Sequence, residues 1–173
     1  IYQQTRKFDE AAAIFNELLK NDPENLEYMY SKAMMLSSAQ KYPEAIEAFR
    51  QLEAKTGIND QISVEIQELY LQNKQPDKAI QEIEKLIQSN PAEPRYYGLL
   101  ADLYQSQGDS DNALKNYNKI LEIDPQSGFV HFSLANYYLQ KNEFEKSFDE
   151  MVKGFESKNV ELQTKLQMYM MMV

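Results

Sequence analysis

Apolar side chains recur along this chain at spacings of three, one and three, and the clearest run lies between Tyr96 and Pro125. Tyr97, Leu100, Ala101 and Tyr104 form a stripe on one side of a helix, because residues three and four apart share a helical face. Gly108 ends that helix, since glycine enters the left-handed conformation of a helix C-terminus without strain. Asp109, Ser110 and Asp111 follow, and their side-chain oxygens suit the free N–H groups that open another helix. Ala113, Leu114, Tyr117, Ile120 and Leu121 give this second helix its own stripe. Pro125 has no N–H to donate and stops it. The stretch therefore predicts a helical hairpin.

A step of 34 residues carries Ala113 back to Ala79, Ala45 and Ala11 and forward to Ser147. The same step takes Tyr104 to Tyr70, Tyr2 and Tyr138, takes Tyr117 to Ile83, Phe49 and Phe15, and takes Pro125 to Pro91 and Pro23. A fixed period in four columns means that one supersecondary unit is repeated. These columns resemble those of the tetratricopeptide repeat family, in which an aromatic, a Leu and a small residue mark the first helix, Ala and an aromatic mark the second, and a Pro closes the unit. The resemblance covers nearly every residue. It implies an all-α fold, a right-handed superhelical solenoid of antiparallel hairpins, cut from a longer array.

Taken in order, Ile1 to Gln4 reads as the last turn of one helix and Phe8 to Lys20 as its partner. Helices are then expected at about Leu26 to Ala39, Tyr42 to Lys55, Asp60 to Gln72 and Pro76 to Gln88, with hairpins at Pro94 to Ile123 and at Ser127, a good N-cap, to Ser157. From Leu162 a further unit begins. The expected organisation is a single solenoid domain over 1–173, with repeats at 26–59, 60–93, 94–127 and 128–161 and partial repeats at 1–25 and 162–173.

Small residues at Ala101 and Ala113 let two helices approach closely, while Tyr97, Tyr104 and Tyr117 fill the wedge beside them. Departures mark weaker units. Gln67 stands where Ala33, Ala101 and Ala135 stand, Pro76 replaces the aromatic seen as Phe8, Tyr42 and Phe144, and Lys32 replaces Leu100. In the fifth unit Ser147 replaces Ala, Asn159 replaces Pro, and Gly154 replaces Leu18, Leu52, Leu86 and Ile120. Its second helix is expected to be looser or bent.

The net charge of −9 and a pI near 4.7 argue against nucleic acid, whose phosphates demand clustered Lys and Arg, and favour neutral or basic partners. No run is long and apolar enough to insert in a bilayer. The chain has no cysteine, which removes disulfides and thiolate metal sites and leaves the compartment unreadable. One histidine and five scattered glycines provide neither a catalytic constellation nor a phosphate-cradling loop, so no enzyme activity and no cofactor are expected. His131 falls in the column of Tyr97 and reads as a packing residue. Glu65 and Glu68 share a helical face and read as a solvated charged surface before they read as an acid-base pair.

The family resemblance implies a concave groove lined by the first helices, and it assigns groove positions to Tyr30, Met34, Glu65, Glu68, Arg95, Asp102, Phe129, Phe132 and Asn136. The expected function is noncatalytic protein or peptide binding, as a scaffold or adaptor. The alternative is a structural or oligomerisation module, with a carboxylate hydrolase a distant third. Aromatic and Met side chains there would meet apolar groups, and the acids would meet Lys or Arg. Phe129 and Phe132 have a second reading, as packing between hairpins. Some family members grip a C-terminal carboxylate with Lys and Asn from these helices. This chain departs from that pattern, with Tyr30 and Met34, Val64 and Glu68, Gly98 and Asp102, then Phe132 beside a matching Asn136. Met168 and Met172 read as the packing stripe of the last unit, whose unpaired face offers a surface for self-association.

Overall fold

The computed structural model describes the backbone of residues 2–172 and the side chains of residues 7–170. The described residues form ten α-helices: α1 (Tyr2–Asn21), α2 (Leu26–Ser38), α3 (Tyr42–Thr56), α4 (Asp60–Gln72), α5 (Pro76–Ser89), α6 (Pro94–Ser106), α7 (Ser110–Ile123), α8 (Gly128–Gln140), α9 (Phe144–Glu156) and α10 (Leu162–Met172). They fall into two compact units, Ile1–Ser89 and Asn90–Val173. Within the first, α1 packs on α2, α2 on α3, α3 on α4 and α4 on α5; within the second, α6 packs on α7, α7 on α8 and α8 on α9.

Each helix pair from α2 to α9 is joined by the same turn. Gln40, Lys74, Gly108 and Asn142, spaced 34 apart, all have positive φ, at 62°, 57°, 78° and 59°. Each donates its N–H to the carbonyl three residues back, and the next residue donates to the carbonyl five back, as in Lys74 to Leu71 at 2.9 Å and Gln75 to Tyr70 at 2.8 Å. This is the Schellman arrangement, which satisfies carbonyls a helix end would otherwise leave open. Only Gly108 announces the turn in the sequence. Gln40 and Lys74 hold the left-handed region at a steric cost that glycine avoids.

α1 corrects the expected break after Gln4, because it runs unbroken to Asn21. Arg6, which the period aligns with those left-handed turn residues, is helical here. Neither Gly nor Pro lies between Gln3 and Asp9 to interrupt the helix. The Ala column also shifts in α1: Ala12 is buried there and Ala11 only partly so, whereas Ala45, Ala79 and Ala113 are fully buried. The side chains of Tyr2 and Met172 lie outside the described residues. Ser127 sits at the N-cap of α8 but makes no side-chain capping bond, unlike Asp109, which accepts from the Asn112 N–H at 3.1 Å.

In the first unit the core gathers Met29, Ala33, Ala45, Phe49, Leu52, Ile62, Ile66 and Leu69. Beside it Glu82 of α5 is buried to 1 % exposure, with its carboxylate held by the Arg50 guanidinium of α3. Arg50 also donates to Glu53 at 2.7 Å. Burial pushes the guanidinium down, but the hydrogen bonds to Glu82 and Glu53 outweigh it and raise Arg50 above its ordinary value. A buried carboxylate tolerates this environment only while its cation is present.

The second unit packs Ala101, Ala113, Tyr117, Ile120, Val130 and Leu134. Ser147 takes the Ala position without leaving its hydroxyl unmet, because Oγ donates to the Ala135 carbonyl at 2.7 Å. α9 runs unbroken from Phe144 to Glu156 through Gly154. Phe132 fills the place that Gly154 vacates: a Cβ at residue 154 would stand 2.8 Å from the Phe132 ring. One period earlier the sizes are reversed, with Gly98 facing Ile120, whose Cδ1 would stand 3.9 Å from a Cβ at residue 98. Gly128 serves a different closure. A Cβ there would collide with Val160, and Ser157 Oγ donates to the Gln126 carbonyl at 2.7 Å, fastening the segment after α9 to the turn before α8.

The repeated turn yields a direct prediction. Replacing Lys74 by glycine removes the left-handed strain while keeping both turn hydrogen bonds, so Lys74→Gly raises stability by about 0.5–1 kcal/mol. Chemical denaturation measures it. A loss of stability would mean that Lys74 contributes contacts larger than the strain it bears.

Candidate functional site

The residues assigned to the groove divide between the two units. In the first, Tyr30 and Met34 stand on α2, both half-buried against the core, and Glu65 and Glu68 stand on α4. Tyr30 packs edge-on against Phe49, with centroids 5.6 Å apart, and its hydroxyl accepts from Gln61 Nε2 at 2.9 Å. Burial pushes the Glu65 carboxyl up, and the Glu68 charge pushes it further, while a hydrogen bond from Tyr30 pulls the other way. The structure thus brings Tyr30, Gln61 and Glu65 together across α2 and α4. Glu68 remains exposed beside them.

In the second unit, Arg95 and Asp102 lie on α6, and Phe129, Phe132 and Asn136 lie on α8. Arg95 is exposed, with its guanidinium 5.8 Å from the Tyr96 ring centre. The two readings of the phenylalanines separate here. Phe132 is 4 % exposed and packs edge-on against Phe155 at 5.1 Å, whereas Phe129 is 56 % exposed. Phe129 and Phe132 nonetheless line one hollow of about 560 Å³, together with Asp102, Asn136, Met151 and Met168. A second hollow of about 370 Å³ shares Asp102, Phe129 and Ser133 with the first and reaches Arg95. Asp102 is exposed, although partial desolvation by its surroundings raises its carboxyl, and among the described residues it has no ion-pair or hydrogen-bond partner.

Sequence reasoning did not find Met151 and Met168 as walls of this hollow. Both are apolar positions on amphipathic helices, and the packing column was the reading drawn for Met168. His131 is buried, with Nδ1 2.6 Å from Glu150 and Nε2 3.1 Å from the Pro125 carbonyl. Burial pushes the Glu150 carboxyl up, but hydrogen bonds from Lys153 and His131 outweigh it and hold it below the ordinary carboxylate range. These bonds tie α8 to α9 and to the turn before it. Among the described residues no three His, Cys, Asp or Glu side chains are disposed to hold a metal ion, and no helix is long and apolar enough to cross a membrane.

Three models, each described as tetratricopeptide repeat, match residues 1–57, 36–103 and 94–127. A crystal structure of MamA is similar over 95 % of this chain and 94 % of its own, with a TM-score of 0.67 at 20 % identity. MamA 41-end from Desulfovibrio magneticus RS-1 is similar over 88 % of each chain, with a TM-score of 0.63 at 20 % identity. YrrB, described as a TPR protein with an unusual peptide-binding site, is similar over 97 % of this chain and 86 % of its own, with a TM-score of 0.62 at 16 % identity. No curated protein sequence matches. The fold class is the all-α helical repeat of these structures, and the chain belongs to the tetratricopeptide repeat family.

Proposed function

We propose that this chain is a noncatalytic scaffold or adaptor that binds a protein or peptide with apolar and basic residues. The observation that carries the reading is the pairing, in each unit, of a partly desolvated carboxylate with an aromatic side chain on first helices of hairpins. Glu65 accompanies Tyr30 in one unit, and Asp102 accompanies Phe129 in the other. A carboxylate short of water gains more from an incoming cation than one fully hydrated, and an exposed ring adds apolar area. The net charge of −9 supports a basic partner over nucleic acid. The peptide-binding site of YrrB, on a similar fold, supports the same class of function. The proposal includes the reading of 1–173 as one solenoid domain with the repeat bounds given above.

A second reading, an oligomerisation module, draws on a different surface. Phe144 and Phe148 of α9 and Leu162, Leu166 and Met170 of α10 are all exposed. Apolar groups left in water at this density favour burial against another surface. Light scattering across a dilution series tests it: mass rises with concentration, and Leu162→Glu with Leu166→Glu abolishes the rise. A constant monomer mass at the highest soluble concentration removes this reading.

The peptide reading is tested on an array of short peptides, followed by anisotropy with the strongest binders. Exposed charges are screened over about 8 Å at physiological ionic strength, so affinity falls as salt rises. The Glu65→Gln, Glu68→Gln pair weakens binding by about twofold to fivefold, the scale of exposed ion pairs. Selection of acidic peptides, or an affinity indifferent to both salt and the variant, contradicts the proposal.

A further inference from the structure

We propose that the hollow between α8, α9 and α10 receives one apolar side chain of a bound peptide, while a lysine or arginine adjacent to it in the peptide pairs with Asp102. The inference rests on the peptide-binding reading and gives it an anchor within the second unit alone.

Three observations converge on this place. The wall is apolar on several sides, from Phe129, Phe132, Leu139, Met151 and Met168, and encloses about 560 Å³. That volume lies within the range of about 300–1,000 Å³ typical of ligand sites. Two methionines make the wall adaptable, since an unbranched thioether side chain re-packs around leucine, methionine or phenylalanine at small cost. The hollow beside His131, of about 550 Å³, has apolar lining from Leu121 and Pro125 but is also lined by Lys153, Glu156 and Lys158, which would offer a basic peptide charges of both signs.

The polar side of the hollow is equally selective. Among the described residues Asp102 is its only ionisable lining residue, and Asn136 and Ser133 complete the rim. Asp102 is exposed at the rim and has no ion-pair or hydrogen-bond partner among the described residues, so an incoming charge can reach its carboxylate. An incoming ammonium or guanidinium pairs with that carboxylate, whereas a peptide carboxylate is repelled by it. Phe129 stands beside Asp102 in the shared wall of the two hollows, so the alkyl stem of a lysine or the plane of an arginine can lie on its ring as the charge reaches the acid. Charge and shape thus select the same ligand: an apolar residue next to a basic one.

Methionine methyl NMR on the whole chain tests the proposal, because Met151 and Met168 report on the hollow and Met29, Met34 and Met35 report on the first unit. The probes are three blocked tetrapeptides, Gly-Leu-Lys-Gly, Gly-Leu-Glu-Gly and Gly-Ser-Lys-Gly. The expected result is saturable movement of the Met151 and Met168 signals with the Leu-Lys peptide. Binding is weaker by about fivefold or more for each of the other two, and Asp102→Asn, which removes no internal bond, reduces the Leu-Lys affinity to that of the Leu-Glu peptide. Equal response to Leu-Lys and Leu-Glu, or an unchanged affinity in Asp102→Asn, overturns the assignment. Movement confined to Met29, Met34 and Met35 overturns it too, but leaves peptide binding standing. Movement of Met151 and Met168 with protein concentration alone gives the hollow to a second copy and overturns it. Silence of every methyl, with no binder on the peptide array, removes both this inference and the function on which it rests.

Discussion

Two helices of a hairpin can lie close together only if the side chains that face each other share a fixed volume, and most of this molecule follows from that constraint. The fully buried Ala45, Ala79 and Ala113 meet it with small residues inside the hairpins. Elsewhere it is met by exchange. Gly98 opposite Ile120 and Phe132 opposite Gly154 are two solutions at the same pair of columns, one period apart. The second fills the space beside Gly154 in α9, which runs unbroken where the sequence by itself pointed to a loose helix. It also turns Phe132 inward as the floor of the hollow that Phe129, Met151 and Met168 surround, so packing and the candidate binding surface share a cause.

Polar interactions refine this frame without replacing it. The Schellman turns at Gln40, Lys74, Gly108 and Asn142 close every hairpin from α2 to α9 with the same two hydrogen bonds, and the backbone geometry persists even where the residue is not glycine. Arg50 and Glu82 join α3 to α5, and His131 with Glu150 joins α8 to α9. Each places a charged or titratable group inside the protein with a partner already in position, which is the condition under which burial is tolerated.

Periodicity made the helices legible, because Gly, Pro and the apolar stripes each act within a few residues of the boundary they set. α4 and the start of α6 could be placed from them directly. The continuity of α1 was not legible, since the shared period implied a turn that no local residue enforces. Nor was the Phe132 and Gly154 pairing: two columns that each depart from pattern look like two defects until the chain brings them together. Arg50 and Glu82 are 32 residues apart, and nothing in either segment marks the other. The groove assignment carried the same gap. The family resemblance assigns Tyr30, Glu65, Asp102 and Phe129 to a groove of first helices, but the Met151 and Met168 walls come from α9 and α10.

The volume exchange is the claim on which the fold of the second unit and the shape of its hollow both depend, and a double-mutant cycle at residues 132 and 154 addresses it directly. Gly154→Leu alone overpacks against the Phe132 ring and costs about 1–3 kcal/mol, while Phe132→Ala alone leaves a cavity and costs about 3–5 kcal/mol. If the two side chains share one space, the double variant is more stable than the sum of the single losses implies, by at least about 1 kcal/mol of coupling. Additive losses within about 0.5 kcal/mol would show that residues 132 and 154 are accommodated independently, and would contradict the account.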